Sequence, residues 1–296
     1  MAPALFYPKT NYFSILAIAL LIVTGTVIYS NTFHSPFQFD DEVNIYDNFA
    51  IRNISDLKAI WNFFPTRFIT YLSISFNYHL GRFNVLGYHI FNLFIHLSSA
   101  ITIWWLAAII LQTPALRDNK ISAHSDTIAL FTGLIFVSHP IQTQAVTYII
   151  QRTASLAALL YILSLAFYIK SRLSQYEKDK SRIRFFYYAL SFIALVTAMF
   201  SKEMTITLPL MILLSELFFF RGRVTDWKPV IPFFAALLII PVTMAATKSV
   251  DFHKMRLMRE PGPGILPLNY LLTQFRVIVT YIKLLLVPVN QNLDYD

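Results

Sequence analysis

The chain has no cysteine, few charges and none of the short signatures that mark the common soluble hydrolases. Without a cysteine in 296 residues there is no disulfide framework, no thiolate metal site and no cysteine nucleophile, although the compartment stays open. HExxH, GxSxG and P-loop patterns are missing as well, which removes zinc-protease, α/β-hydrolase and nucleotide-hydrolase readings. The sequence has no helical repeat of fixed period and no low-complexity tract. Charged residues make up 14% of the chain against 56% apolar, and the mean hydropathy is +0.55. A soluble domain of this length would be far more polar, so lipid is the main solvent.

What is present is a series of long apolar runs. A hydrocarbon core about 30 Å thick is crossed by roughly 20 helical residues, and uninterrupted runs fit helices rather than the alternating strands of a barrel. The pattern predicts spans over 12–30, 86–111, 127–143, 152–169, 185–201, 205–220 and 229–247. The run 12–29 is too long for the apolar core of a signal peptide, and no small-residue cleavage pattern follows it, so it reads as the first span. A further segment, 269–288, carries Arg276 and Lys283 and either spans or lies along the interface; 67–80 reads as an interfacial helix. The expectation is an all-α polytopic membrane protein, one transmembrane domain over 1–296, with an external first loop, 31–85, carrying short interfacial helices.

The formal charge of +8 sits mainly between the apolar runs, where it acts as a topology signal, so no nucleic-acid partner is implied. The loop 170–184 holds Lys170, Arg172, Lys178, Lys180, Arg182 and Arg184 against Glu177 and Asp179, which assigns it to the cytoplasm. Arg117 and Lys120 in one connection, and Arg221, Arg223 and Lys228 in another, agree. Alternation then puts 31–85, 144–151, 202–204 and 248–268 on the opposite face. The last of these is itself basic, so the assignment leans on the short loops.

Polar residues that carry chemistry gather on that opposite face. Asp40, Asp41 and Glu42 follow the first span by about ten residues; such a cluster can supply a general base or hold a cation, and a solvated acidic loop has the same spacing. His139 and Gln142, beside Pro140, stand at the end of one span and Arg152 at the start of the next, lining a hairpin where His-Pro is also a simple helix stop. Lys202 and Glu203 lie between two apolar runs, a place for a phosphate-facing cation or for interfacial snorkelling. His89, Asn92 and His96 share one helix face and suit interhelical hydrogen bonding better than metal ligation, being about two turns apart at the extremes.

The acidic triplet, Gly87-Tyr88-His89-Ile90-Phe91-Asn92, His139-Pro140 with Gln151-Arg152, Ser201-Lys202-Glu203 and Asn292-Leu293-Asp294-Tyr295-Asp296 together resemble the GT-C superfamily of membrane glycosyltransferases. Within it they are similar to the transmembrane and tetratricopeptide-repeat O-mannosyltransferases and their bacterial relatives. The resemblance implies a GT-C-like helix bundle and a sugar, mannose by the branch's name, taken from a polyprenyl-phosphate carrier to a protein or lipid hydroxyl. It implies Asp40 as the inverting general base beside Asp41; on chemical grounds Arg152, Lys202 and Arg276 are nominated for the donor phosphate, with Glu42, His139, Gln142 and Glu203 also on the substrates. A divalent cation on Asp40 and Asp41 is compatible with this chemistry but not required, and no resident metal is expected. By resemblance the setting is the bacterial inner membrane, with the site facing the periplasm. The repeat-bearing branch adds further spans and a repeat domain, so the chain reads as incomplete or as a short variant. A transporter or lipid flippase, in which the same residues line a pathway, and an inactive GT-C-like subunit are the competing readings.

Overall fold

The computed structural model describes residues 11–175, 181–220, 228–247 and 267–292. Lys178, Lys180, Arg221, Arg223, most of the 248–268 connection and 293–296 therefore lie outside the described residues. Among the described residues all regular structure is helical: α1 (Asn11–Ile28), α2 (Leu57–Phe63), α3 (Phe68–Gly81), α4 (Val85–Ile110), α5 (Ser125–Ser138), α6 (Thr143–Thr147), α7 (Arg152–Ser174), α8 (Ser181–Met199), α9 (Leu208–Phe219), α10 (Ile231–Ala235), α11 (Ile239–Ala246) and α12 (Pro267–Leu286). The chain is an all-α membrane protein, and among the described residues four stretches are long and apolar enough to cross a bilayer: Val85–Ile110, Lys120–Ser138, Ile149–Ser174 and Ser181–Met199. Large apolar side chains such as Leu16, Val23, Phe131 and Ile135 are exposed on the outside, where acyl chains would cover them.

Three spans differ from their sequence-based limits, each for a backbone reason. Pro140 has no N–H to continue a helix, so α5 stops at Ser138 rather than 143, with Pro140–Gln142 as a 3-10 turn. The 205–220 run divides into a 3-10 turn over Glu203–Thr207 and a helix of only 12 residues. Because a 3-10 turn rises about 2.0 Å per residue, the two pieces still connect both ends of the bundle: Glu203 meets Arg67 at one end, and the Phe219 carbonyl accepts from Ala115 N at the other, 3.2 Å away. The 229–247 run is broken at Ala236–Leu238, between Pro232 and Pro241, into α10 and α11.

In lipid there is no hydrophobic drive to bring helices together, so close approach and polar bonds do it. At Gly25 of α1, an added Cβ would run into Leu97 Cδ2 and would lie 2.8 Å from Val137 Cγ2, so the glycine lets α1 seat closely against α4 and α5 without those side chains having to shift. Helices α7 and α8 are joined by a reciprocal pair: Ser164 Oγ donates to the Ser191 carbonyl at 2.8 Å and Ser191 Oγ returns the bond to Ser164 at 2.7 Å. The polar face of α4 is bonded outward as its spacing suggests. His89 Nε2 pairs with the Ser35 carbonyl (2.9 Å), Asn92 Nδ2 donates to the Val146 and Ile149 carbonyls, and His96 Nε2 pairs with the Val137 carbonyl (3.2 Å).

The central tie is Arg152, which is fully buried at the start of α7. Its Nε donates to Asn92 Oδ1 (2.7 Å), one terminal nitrogen to Asn77 Oδ1 (2.6 Å) and the Ser73 carbonyl (3.2 Å), and the other to the Tyr88 carbonyl (3.0 Å). One guanidinium thus fastens α3 and α4 to α7, with the Phe91 ring 4.5 Å away. An ammonium cannot cover that fork of acceptors. Arg152→Lys should therefore leave buried carbonyl groups unbonded at a cost of at least about 2 kcal/mol. The expected result is a fall of roughly 5 °C in the thermal midpoint of the detergent-solubilised chain, followed by tryptophan fluorescence.

Candidate functional site

The first loop, the hairpin after α5 and the 200–207 break meet at one end of the bundle. The Phe200 carbonyl accepts from Ile69 N at 2.9 Å and the Ser201 carbonyl from Thr70 Oγ1 at 3.1 Å, so the peptide groups freed by the break are re-bonded by α3. Glu203 Oε1 accepts from Thr66 Oγ1 at 2.5 Å, and its Oε2 pairs with Arg67 at 3.3 Å. Burial alone would push the Glu203 carboxyl up, but the Thr66 hydroxyl, its own peptide N–H and Arg67 outweigh it and hold the group below the usual range. Lys202 beside it is partly buried; burial first, and Arg67 second, lower its ammonium against the pull of Glu203. Two cations and one carboxylate thus share this lip.

The acidic triplet divides into unlike parts. Phe39 adopts a positive φ of 48°, costly for an aromatic residue, with its ring edge-on to Tyr148 at 6.3 Å. Asp40 follows, exposed at the surface, with its peptide N–H donating to Tyr148 Oη at 2.8 Å. Asp41 turns inward and is 1% exposed. Its Oδ2 accepts from Gln38 N (3.1 Å) and its Oδ1 from Ile150 N (2.7 Å), at the start of the turn that leads into α7. Burial pushes the Asp41 carboxyl up to about 6, against the bonds from Gln38, Ile150 and Ile149 and with some help from Asp40. Glu42 is exposed and opens a π-helical turn, Glu42–Tyr46.

Tyr71 links these parts. It is buried, and its hydroxyl donates to Asn44 Oδ1 at 2.5 Å, while Asn44 Nδ2 donates to the Asp40 carbonyl at 2.8 Å. Burial raises the Tyr71 phenol to about 12, Arg67 opposing, and both Glu203 and Asp40 act on it through space. Tyr71 thus lies within electrostatic reach of both Asp40 and the Arg67–Glu203 pair.

Beside Asp41 lies a cavity of about 300 Å³. Ser35, Thr143, Thr147 and Tyr148 help line it, and the Thr147 hydroxyl is buried there without a partner among the described residues. Its far wall is Gln291 and Asn292, beyond α12. His139 holds that segment: its Nε2 lies 3.1 Å from the Leu285 carbonyl and its Nδ1 accepts from Ile141 N at 3.2 Å, a neutral ring with the proton on Nε2. Gln142 is partly buried in the same hairpin.

Arg152 is enclosed by protein groups and reaches no open surface, unlike the lip position that its place in the sequence suggested. Arg276 is exposed on α12, and no hydrogen bond or ion pair among the described residues joins its side chain to the Lys202 group. Arg67, Tyr71, Thr147 and Tyr148 were not singled out by the sequence; the aromatic density of 63–78 was the available signal. Among the described residues no three His, Cys, Asp or Glu side chains cluster as a metal set, and both oxygens of Asp41 are already occupied by peptide N–H groups.

The Asp41 geometry predicts a pH dependence. A carboxyl whose folded pKa is raised binds its proton more tightly when folded, so its contribution is present below the unfolded value near 4 and is lost as pH rises through about 6. Thermal midpoints of the solubilised chain should carry a falling component over pH 4 to 6 that Asp41→Asn removes. The same variant should be less stable near pH 5, because its amide nitrogen faces a peptide N–H.

No family model matches the chain, and no solved structure matches it. Several curated relatives do. Protein O-mannosyl-transferase Tmtc3 of Drosophila melanogaster is 30% identical over 185 residues, 55% of this chain and 20% of that protein. Human protein O-mannosyl-transferase TMTC4 is 25% identical over 206 residues, 64% of this chain and 28% of the relative, and human TMTC3 is 26% identical over 168 residues, 52% and 17%. The chain thus spans only 17% to 28% of the length of these relatives. Over the matched residues it is a sequence relative of the TMTC protein O-mannosyl-transferases, in keeping with the GT-C-like branch that its motifs resemble.

Proposed function

We propose that this chain is an integral membrane glycosyltransferase that moves a sugar, mannose by the names of its relatives, from a polyprenyl-phosphate carrier to a hydroxyl of a protein or lipid. Transfer takes place at the non-cytoplasmic face, periplasmic in a bacterial inner membrane. Asp40 removes the acceptor proton, the oxygen attacks the anomeric carbon, and the lipid phosphate departs in a single inverting displacement. The observation that carries this reading is the exposed Asp40 and the Arg67–Glu203 pair both within electrostatic reach of Tyr71, with Lys202 next to Glu203.

The roles follow the surroundings of each group. Asp40 is open to an incoming hydroxyl and is fixed by Tyr148 and Asn44. Asp41 positions it by docking the loop on the start of α7. Lys202, with Arg67, offers the positive charge that a departing phosphate requires as negative charge grows on it. Glu203 orients Arg67, and Glu42, next to Asp41 in the chain, is assigned to the acceptor side with His139 and Gln142 of the hairpin that leads to Thr143. Arg152 acts from behind, through the frame it holds, and Arg276 would join only by movement of α12.

The test is mannose transfer from a polyprenyl-phosphate-linked donor to a serine- or threonine-containing peptide in proteoliposomes. Asp40→Asn should lower the rate at least about 100-fold while leaving the thermal midpoint unchanged, because the side chain is exposed. Lys202→Gln should lower the turnover rate more than it weakens acceptor binding. Transfer at the wild-type rate in Asp40→Asn would remove the assignment.

A further inference from the structure

The opposite end of the bundle holds a second polar cavity that the transfer reading does not use. It encloses about 380 Å³ between the end of α7 and the start of α8. Twenty residues separate Arg152 from Arg172 on α7, about 30 Å at 1.5 Å per residue, which is the thickness of a hydrocarbon core. The two polar ends of this helix therefore sit at the two borders of one bilayer.

Three cationic side chains line this cavity, Arg172, Arg184 and Lys228, with the hydroxyls of Ser171, Ser181 and Tyr188. No acidic side chain lines it among the described residues. Among the described residues, the buried carboxylate Glu216 meets Arg172 of the cavity lining: Arg172 reaches it through Nε (2.9 Å) and a terminal nitrogen (2.6 Å), and the Tyr168 hydroxyl adds a third bond at 3.0 Å. That pairing neutralises the Arg172 charge and fixes its plane at the cavity floor. The charge of Arg184 is left facing the cavity from an exposed position on α8. Ser171 Oγ donates to the Arg184 carbonyl at 2.9 Å, and Tyr188 Oη donates to the Pro229 carbonyl at 2.8 Å, so all three walls are fastened to one another. Phe185, 70% exposed, lines the same cavity, and Phe186, 57% exposed, is its neighbour; aromatic rings of this kind sit where headgroups meet acyl chains.

We propose that this cavity is a binding site for a phosphate-bearing anion at the membrane border opposite Asp40, with Arg184 as its principal ligand. The chemistry is that of guanidinium and ammonium donors around a compact, multiply charged oxyanion. A lipid headgroup and a free phosphate both present that group. The inference is independent of the transfer reaction.

The experiment is isothermal titration of the full chain in a neutral detergent, with dioctanoyl-phosphatidylglycerol in one arm and inorganic phosphate in the other. Saturable binding is expected in at least one arm, weakened about tenfold or more by Arg184→Gln and largely restored by Arg184→Lys. Ser181→Asp, which sets a carboxylate on the cavity wall at an exposed position, should weaken it as well and serves as the second variant if Arg184→Gln does not fold. Binding confined to the lipid arm assigns a headgroup, binding confined to the phosphate arm a soluble ester, and binding in both the phosphate group itself. Absence of saturable binding in both arms, or binding indifferent to both substitutions, overturns the proposal.

Discussion

The junction that the rest of the molecule depends on is the one where Asp41 accepts the Ile150 N–H immediately before α7. A helix N-terminus has unpaired N–H groups and a partial positive charge, and here it is followed by Arg152, a full positive charge buried among neutral acceptors. Asp41 meets both: it accepts the peptide N–H that precedes the helix and acts on Arg152 through space, although burial pushes its own carboxyl up. Because that carboxylate is the neighbour of Asp40 in the chain, the same contact that settles α7 also sets where the exposed acid stands. The left-handed Phe39 before it is held by the same docking.

Lipid sets a second constraint, which decides where the chain can leave helical geometry. A broken helix in hydrocarbon strands peptide groups, so breaks occur only where other protein groups rejoin them. The Phe200–Ser201 break is tolerated because Ile69 and Thr70 bond its carbonyls, and this is also what brings Lys202 and Glu203 against Arg67. Polar chemistry and irregular backbone thus coincide at one lip for a single reason. The mirror of this holds at the other end, where Arg172 and Glu216 cancel each other beneath a cavity of cations.

Much of this was readable from the sequence. Long apolar runs define α4, α7 and α8, and counting them was enough to expect Asp40 and Lys202 at the same border. Helix ends were less readable: the ends at Ser138 and around Ala236–Leu238 follow from prolines acting locally, which a hydropathy window averages away. The site was legible as a set of residues but not as a division of labour. Asp40 and Asp41 look alike in the sequence, and only the fold separates an exposed acid from one that is buried and bonded twice. Arg152 was legible as a charge at the start of a span, yet its acceptors come from α3 and α4, 60 to 79 residues away. Asn77 and Asn92, polar residues inside apolar helices, were the clue that such a partner existed.

The account rests on one border shared by the acidic loop and the 200–207 break, with the basic cavity on the other side. The lack of native cysteine makes this directly measurable, since a single introduced cysteine is the only thiol in the chain. Glu42→Cys, Met204→Cys and Arg184→Cys, all at exposed positions, can each be labelled in oriented sealed vesicles with a membrane-impermeant maleimide. Positions 42 and 204 should react from the same side and position 184 only from the other. Labelling of 42 and 204 from opposite sides would contradict the shared site, and with it the proposed transfer chemistry.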